Sequence, residues 1–202
     1  MMINFFQVIL KIFFFSLLSF LLLKKIIPFL KKNFMRKPNK RDSHVLPTPS
    51  AGGIVFVIFS YLMLFMTKAI RPEMINIVLL STPIALIALI DDRYDISKTL
   101  RYFIQLLTSI LLLYGSQINH DINFLFNGFI SNCLFILLVI AFTAIINFIN
   151  FMDGIDGLVS SNMFLIFLNY SLINDFDLIA IPVVLFVFLF YNWSPAKIFM
   201  GD

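Results

Sequence analysis

Asn147-Phe148-Ile149-Asn150-Phe151-Met152-Asp153-Gly154-Ile155-Asp156-Gly157 closes a run, Phe129–Phe148, that is apolar enough to cross a bilayer. Within eleven residues it sets two carboxamides, two carboxylates and two glycines. Polar and ionisable groups at membrane depth are costly, so they mark a cavity, a metal or a substrate path. On a helix, the steps from Asn147 to Asn150, Asp153 and Asp156 each turn back by about 60°, so neighbours share a face while the set sweeps half the circumference. The glycines are expected to end the helix, leaving Asp153-Gly154 and Asp156-Gly157 as a compact loop whose bare backbone can approach a pyrophosphate. A polar turn between two spans is the plainer reading, since Asp-Gly is ordinary turn chemistry. The asparagines inside the apolar run argue against it.

Outward from this stretch the chain stays apolar. Of its 202 residues 60% are hydrophobic and 13% charged, and the mean hydropathy is +0.97. A soluble domain carries roughly 25% charged residues, so the composition predicts a polytopic membrane protein. Its runs suit helices of about 20 residues rather than barrel strands with two-residue alternation. The apolar N-terminal run closes on Lys24-Lys25 with no small-residue cleavage site, which reads as an uncleaved first span. Cys133 is the single cysteine, which excludes a disulfide framework and a cysteine metal site. The net charge of +4 comes from basic residues that flank spans, so it suits a lipid surface and not nucleic acid.

The expected fold is all-α, a transmembrane helical bundle of about seven spans: 12–30, 54–66, 75–90, 103–114, 129–148, 158–172 and 178–191. The second, third and fourth are short and are expected to extend into their flanks or to sit in thinned bilayer. With no internal repeat or linker, the chain reads as one membrane domain over 1–202. Lys24 and Lys25 near the end of the first span, with Lys31, Lys32, Arg36, Lys37, Lys40 and Arg41 after it, put that side in the cytoplasm. Alternation then makes 31–53, 91–101, 150–157 and 192–202 cytoplasmic. The opposite connections hold Glu73, Asp121, Asp175 and Asp177 against only Lys68 and Arg71, an asymmetry that supports this topology without reference to any motif.

Three further polar stretches fall on that cytoplasmic side. The first loop contains His44-Val-Leu-Pro47-Thr-Pro49-Ser-Ala-Gly52-Gly53, in which prolines stiffen the chain and paired glycines allow a turn or a close approach. Its charges also fit a loop lying on anionic headgroups. Span three ends in Asp91-Asp92-Arg93-Tyr94-Asp95. Adjacent carboxylates repel, and a divalent cation relieves the conflict. Oxygen ligands point to Mg²⁺, or Mn²⁺, completed by substrate phosphates. The plainer alternative is a solvated helix end with Arg93 as local partner. Lys98, Arg101 and Gln105 then share one helical face, placed to reach phosphate oxygens or to snorkel to the interface. Finally, Asn192-Trp193-Ser194-Pro195-Ala196-Lys197-Ile198-Phe199-Met200-Gly201-Asp202 brings another carboxylate, with Trp193 suited to an interfacial anchor.

Together, Asp91-Asp92, Asn147-x-x-Asn150-x-x-Asp153-Gly154-x-Asp156-Gly157, His44-x-x-Pro47-x-Pro49-x-x-Gly52-Gly53 and Pro195-Ala196-x-x-Phe199-Met200-Gly201-Asp202 resemble the polyprenyl-phosphate N-acetylhexosamine-1-phosphate transferases of glycosyltransferase family 4. That family includes bacterial enzymes that start O-antigen, enterobacterial common antigen and wall teichoic acid, and the translocase that makes lipid I of peptidoglycan. The Asp91–Asp95 stretch and the short loops look more like the former groups, the N-acetylglucosamine 1-phosphate transferases, than like the translocase. The resemblance implies transfer of a sugar 1-phosphate from a UDP-N-acetylhexosamine to undecaprenyl phosphate, with release of UMP, at the cytoplasmic face of the bacterial plasma membrane. It implies that Asp91 or Asp92 contacts the lipid phosphate, that Asp153 and Asp156 position the donor, and that Asn150, Asp153 and Asp202 hold Mg²⁺. His44, Lys98, Arg101, Asn147, Asn150 and Gly154 would contact substrate. Dimers occur in the family, so a homodimer is a possible partner state.

Three rival readings follow from the same residues. Asp91-Asp92-x-x-Asp95 also fits an intramembrane prenyltransferase, but such enzymes do not pair it with the Asn/Asp stretch. A transporter would gather its polar groups near the bilayer midplane between broken helices, whereas these collect at span ends on one side. Members of the family continue past the Met-Gly-Asp motif into further helices and a histidine-rich loop, so a truncated chain, inactive by itself or one half of a split gene product, is the third.

Overall fold

The computed structural model describes residues 5–36, 47–66, 72–94, 96–126, 128–174 and 178–201. His44, Asp95 and Asp202 lie outside them. Among the described residues there are eight helices: α1 (Phe5–Asn33), α2 (Ile54–Met66), α3 (Pro72–Tyr94), α4 (Lys98–Tyr114), α5 (Gln117–Leu125), α6 (Phe129–Met152), α7 (Leu158–Ile173) and α8 (Ala180–Asn192). Among the described residues the only strands are β1 (Met35–Arg36) and β2 (Thr48–Pro49), an antiparallel pair in which Met35 faces Pro49. The all-helical membrane fold is as the composition predicts.

Each expected span has a helix, with changes at the ends. Three are long and apolar enough to cross a membrane on their own: Phe5–Asn33, Met74–Tyr94 and Phe129–Met152. The third span gains at both ends. Pro72 starts α3, where a missing N–H is harmless, and the helix runs on through Asp91 and Asp92 to Tyr94. Shorter apolar helices occupy Ile54–Phe65, Leu158–Ile173 and Ala180–Asn192. At 13 residues each, α2 and α8 are about 20 Å long, less than the ~30 Å of hydrocarbon. Among the described residues α5 is the one helix that the span pattern did not anticipate.

The chain divides into two compact units, Met1–Lys68 with Met152–Asp202, and Ala69–Phe151. In the first, α8 is the central element, packed against α1, α2 and α7. Phe188 is fully buried there, with its ring edge-on to Phe56 at 5.0 Å between centroids. In the second, α4 packs on α3 and is stitched to α6 by polar groups: Thr143 Oγ1 donates to Ser109 Oγ at 3.0 Å, and Asn147 Nδ2 donates to Gln105 Oε1 at 2.7 Å. Each pair of positions is one turn apart, and the numbering runs in opposite directions, so α4 and α6 are antiparallel. Ser109, Thr143 and Gln105 are all buried. Buried hydroxyls and amides in an apolar bundle need such partners, because an unsatisfied polar group costs about 1–3 kcal/mol.

Candidate functional site

The Asp-Asp pair sits in the last turn of α3, where carboxylates oppose the partial negative charge of the helix end. That placement demands compensation. Asp91 receives it twice: Oδ1 accepts the Ile96 N–H at 2.7 Å, and Oδ2 accepts Arg101 Nη1 at 2.6 Å. The carboxylate side chain is 8% exposed and the guanidinium 25%. Ser97 caps α4 by accepting the Leu100 N–H, so Arg101 lies one turn into a helix whose start is anchored. Asp91 therefore acts on its own chain and closes the connection between α3 and α4. Asp92 is about 100° further round α3 and half-buried.

This changes the expected work of the Lys98, Arg101 and Gln105 face. Lys98 is exposed, consistent with a group that reaches out. Arg101 pairs with Asp91. Gln105 is buried and fixes the Asn147 amide, whose Nδ2 also donates to the Thr143 carbonyl at 2.9 Å. One helix, α4, thus holds one member of the Asp-Asp pair and one member of the Asn/Asp stretch through residues a turn apart. Sequence reasoning had put Gln105 on a substrate-reaching face and missed this contact. The signal for it was available, since an amide inside an apolar span needs a buried partner.

Helix α6 ends at Met152, as the glycines predict, so only Asn147 and Asn150 lie on it. Residues 153–157 are turns, and Gly157 takes φ +72° before α7 starts. The glycine is required by its left-handed conformation, and a Cβ there would also press on Trp193, 3.3 Å from Cε3. Gly157 is used for packing, while Gly154 is half-buried. Asp156 Oδ2 accepts the Ala196 N–H at 3.0 Å, which ties this loop to the Pro195-Ala196 motif. Asn192, at the end of α8 and 2% exposed, makes a second tie. Its Oδ1 accepts Ser160 Oγ at 2.6 Å and its Nδ2 donates to the Ile198 carbonyl at 3.0 Å.

The loop before α2 joins the same assembly. Gly52 N–H donates to the Phe199 carbonyl at 2.9 Å, Gly53 N–H to the Met200 carbonyl at 2.6 Å, and Phe199 N–H to the Pro49 carbonyl at 2.8 Å. A Cβ on Gly52 would fall 2.6 Å from the Phe199 carbonyl oxygen and 2.7 Å from Phe188 Cε2. The paired glycines thus admit another stretch of this chain's own backbone. Three stretches far apart in sequence, 47–53, 153–157 and 192–201, meet in one unit. Among the described residues no group of three or more His, Cys, Asp or Glu is placed to hold a metal. The expected donors, Asn150 and Asp153 with Asp202 outside the described residues, fit a hard cation in kind because all offer oxygen.

The family model described as glycosyl transferase family 4 matches residues 74–202, which take in the Asp-Asp pair, the Asn/Asp stretch and the Met-Gly-Asp ending. The chain belongs to that family. Among curated proteins it is similar to the phospho-N-acetylmuramoyl-pentapeptide-transferase of Dictyoglomus turgidum, at 32% identity over 77% of this chain and 54% of the relative. It is also similar to proteins of that name from a Wolbachia of Brugia malayi, at 31% identity over 95% of the chain and 69% of the relative, and from Petrotoga mobilis, at 30% over 95% and 70%. The chain therefore spans little more than half the length of one of these relatives and about 70% of the others. Their shared name does not single out the N-acetylglucosamine branch of the family to which the short loops incline.

Proposed function

We propose that the protein carrying this chain transfers an N-acetylhexosamine 1-phosphate from a UDP-sugar to undecaprenyl phosphate, releasing UMP, on the cytoplasmic side of a bacterial plasma membrane. The observation that carries this reading is that the family's acidic motifs are each held by dedicated side-chain and backbone contacts at the ends of apolar helices. An oxygen of the lipid phosphate attacks the sugar-bearing phosphorus of the donor. The bond from that phosphorus to the bridging oxygen breaks, and the electron pair leaves with UMP. Such a reaction needs positioning and charge neutralisation more than covalent help from the protein.

The chain's own residues divide that work. Arg101 and Ile96 hold Asp91, and Asp91 braces the α3–α4 connection; Asp92, half-buried beside it, is assigned to the lipid phosphate by the motif. Asp156 holds the 194–200 loop through Ala196; Asp153 and the Gly154 backbone are assigned to the donor by the motif, with Asn147 oriented for the same purpose by Gln105. Lys98, exposed at the start of α4, is assigned to phosphate oxygens, and His44 to the donor side by the motif alone. Asn150, Asp153 and Asp202 are the residues that would hold Mg²⁺, which supplies charge neutralisation on the pyrophosphate when bound.

The relatives' name supports phospho-N-acetylmuramoyl-pentapeptide as the transferred group, and the Asp91–Asp95 stretch with its short loops supports a simple N-acetylhexosamine. Both belong to the proposed class. The gene product, expressed from its own start to its own stop codon in nanodiscs containing undecaprenyl phosphate, is to be assayed for UMP release with each UDP-sugar. Release that requires the acceptor and is lost in Asp92→Asn is expected. Acceptor-independent release, or full activity of Asp92→Asn with both donors, would overturn the assignment.

A further inference from the structure

We propose that a groove between α1 and α8 binds an anionic phospholipid of the bulk bilayer, with one acyl chain in the groove and the phosphate met by Lys197 and Lys24. The groove encloses about 570 Å³ and lies wholly within one unit. Its walls are Phe13, Leu17 and Phe20 of α1 and Phe190 and Tyr191 of α8, and Lys197 completes the lining. The Phe13 and Phe190 rings are each 67% exposed, and Phe20 and Tyr191 approach at 6.3 Å between centroids. Lys197 is held beside this aromatic pair by its own N–H, which donates to the Tyr191 carbonyl at 2.7 Å.

Two features select the occupant. The first is charge. Phe13, Leu17, Phe20 and Lys24 recur at helical spacing on one face of α1, so the face that begins as groove wall ends in a second ammonium group. Among the described residues neither Lys24 nor Lys197 is paired with a carboxylate. An apolar slot with two unpaired cations on one side complements a single anionic amphiphile better than a zwitterionic one, whose own cation would oppose them. The second is depth. From Phe13 to Lys24 the helix rises about 16 Å, close to half of the ~30 Å hydrocarbon thickness. The groove is one leaflet deep, which fits an ordinary acyl chain and is short for a long polyprenyl tail.

The test uses the gene product, expressed from its own start to its own stop codon, in nanodiscs of phosphatidylcholine with an equal part of phosphatidylglycerol, released into detergent and weighed by native mass spectrometry. Retention of phosphatidylglycerol over phosphatidylcholine by about fivefold or more per lysine engaged is expected. That preference should vanish in Lys24→Gln/Lys197→Gln, while Leu17→Trp, which fills the slot, should lower retention of both lipids with the helical circular dichroism unchanged. A phosphatidylglycerol with a diazirine on its acyl chain should label peptides containing 13–20 or 187–191. Equal retention of the two lipids, a preference untouched by the lysine changes, or labelling elsewhere would overturn the proposal. So would displacement of phosphatidylglycerol by equimolar undecaprenyl phosphate, which would make the groove the acceptor's channel. Disulfide formation between copies carrying Cys133→Ser with Phe13→Cys or Phe190→Cys would also overturn it, because the occupant would then be a second copy of the chain.

Discussion

At the scale of single residues, Asp91 is tied into its own chain through both of its carboxylate oxygens. Asp91 accepts a backbone N–H and a guanidinium within 2.7 Å, so loss of its charge weakens both contacts. Asp91→Asn is expected to lower stability by about 1–3 kcal/mol, read as an earlier thermal transition in detergent, and to lower activity through that loss. Asp92→Asn should reduce UMP release at least about 100-fold, the scale on which a positioned charge acts in such sites. Near-parent UMP release by Asp92→Asn would remove that assignment. Gly52 makes a prediction of a different kind, because a Cβ there would penetrate both a carbonyl oxygen and the Phe188 ring. Gly52→Ala should destabilise by roughly 1–3 kcal/mol or more, as overpacking does, and faster proteolysis of the 47–53 loop in detergent would report it. Unchanged proteolysis and melting would mean that this backbone crossing is loose.

At the scale of elements, α4 carries more of the candidate site than its modest apolarity suggests, since Arg101 and Gln105 project from adjacent turns to Asp91 and Asn147. An interhelical hydrogen bond within a membrane bundle contributes only about 0.6 kcal/mol on average. Gln105→Ala should therefore alter stability by less than about 1 kcal/mol, yet disorder the Asn147 amide and lower turnover about tenfold, the larger effect that misplacement of a positioning group produces. A double-mutant cycle with Asn147→Ala checks this: strong non-additivity in turnover is expected, and additive losses would show that the two amides work separately. Helix existence and the end of α6 were legible beforehand because apolar runs and Asp-Gly pairs act locally. The destinations of Arg101, Gln105 and Asn192 were not, because a polar side chain in a span announces that it needs a partner without saying which of the other helices supplies it. Gly52-Gly53 was legible as a place of close approach, but not as a docking site for residues 199 and 200, almost 150 positions later in the chain. The extension of α3 through Asp91 and Asp92 was hidden for another reason: helix ends that carry acidic residues look like loops until the compensating Arg101 is seen.

At the scale of the whole molecule, the question that the helices raise is parity. Counting α5 as a span would place every later motif on the opposite side from the Asp-Asp pair. Its physics argues against crossing: nine residues make about 14 Å of helix against ~30 Å of hydrocarbon, and none of its residues is buried. Ile118, Ile122 and Leu125 share one face while Gln117, Asp121 and Asn123 are polar, and Ser116 caps the start by accepting the Asn119 N–H. That is the pattern of a short helix lying in the interface. The antiparallel pairing of α4 with α6 agrees, because the connection between them then begins and ends on one side. In a Cys133→Ser background, Asn123→Cys should react with an impermeant maleimide from outside intact cells, whereas Tyr94→Cys and Ser194→Cys should react only after the membrane is opened. Labelling of Asn123→Cys and Tyr94→Cys from the same side would mean that α4 does not span, and the placement of the acidic motifs on a common cytoplasmic face would fall with it.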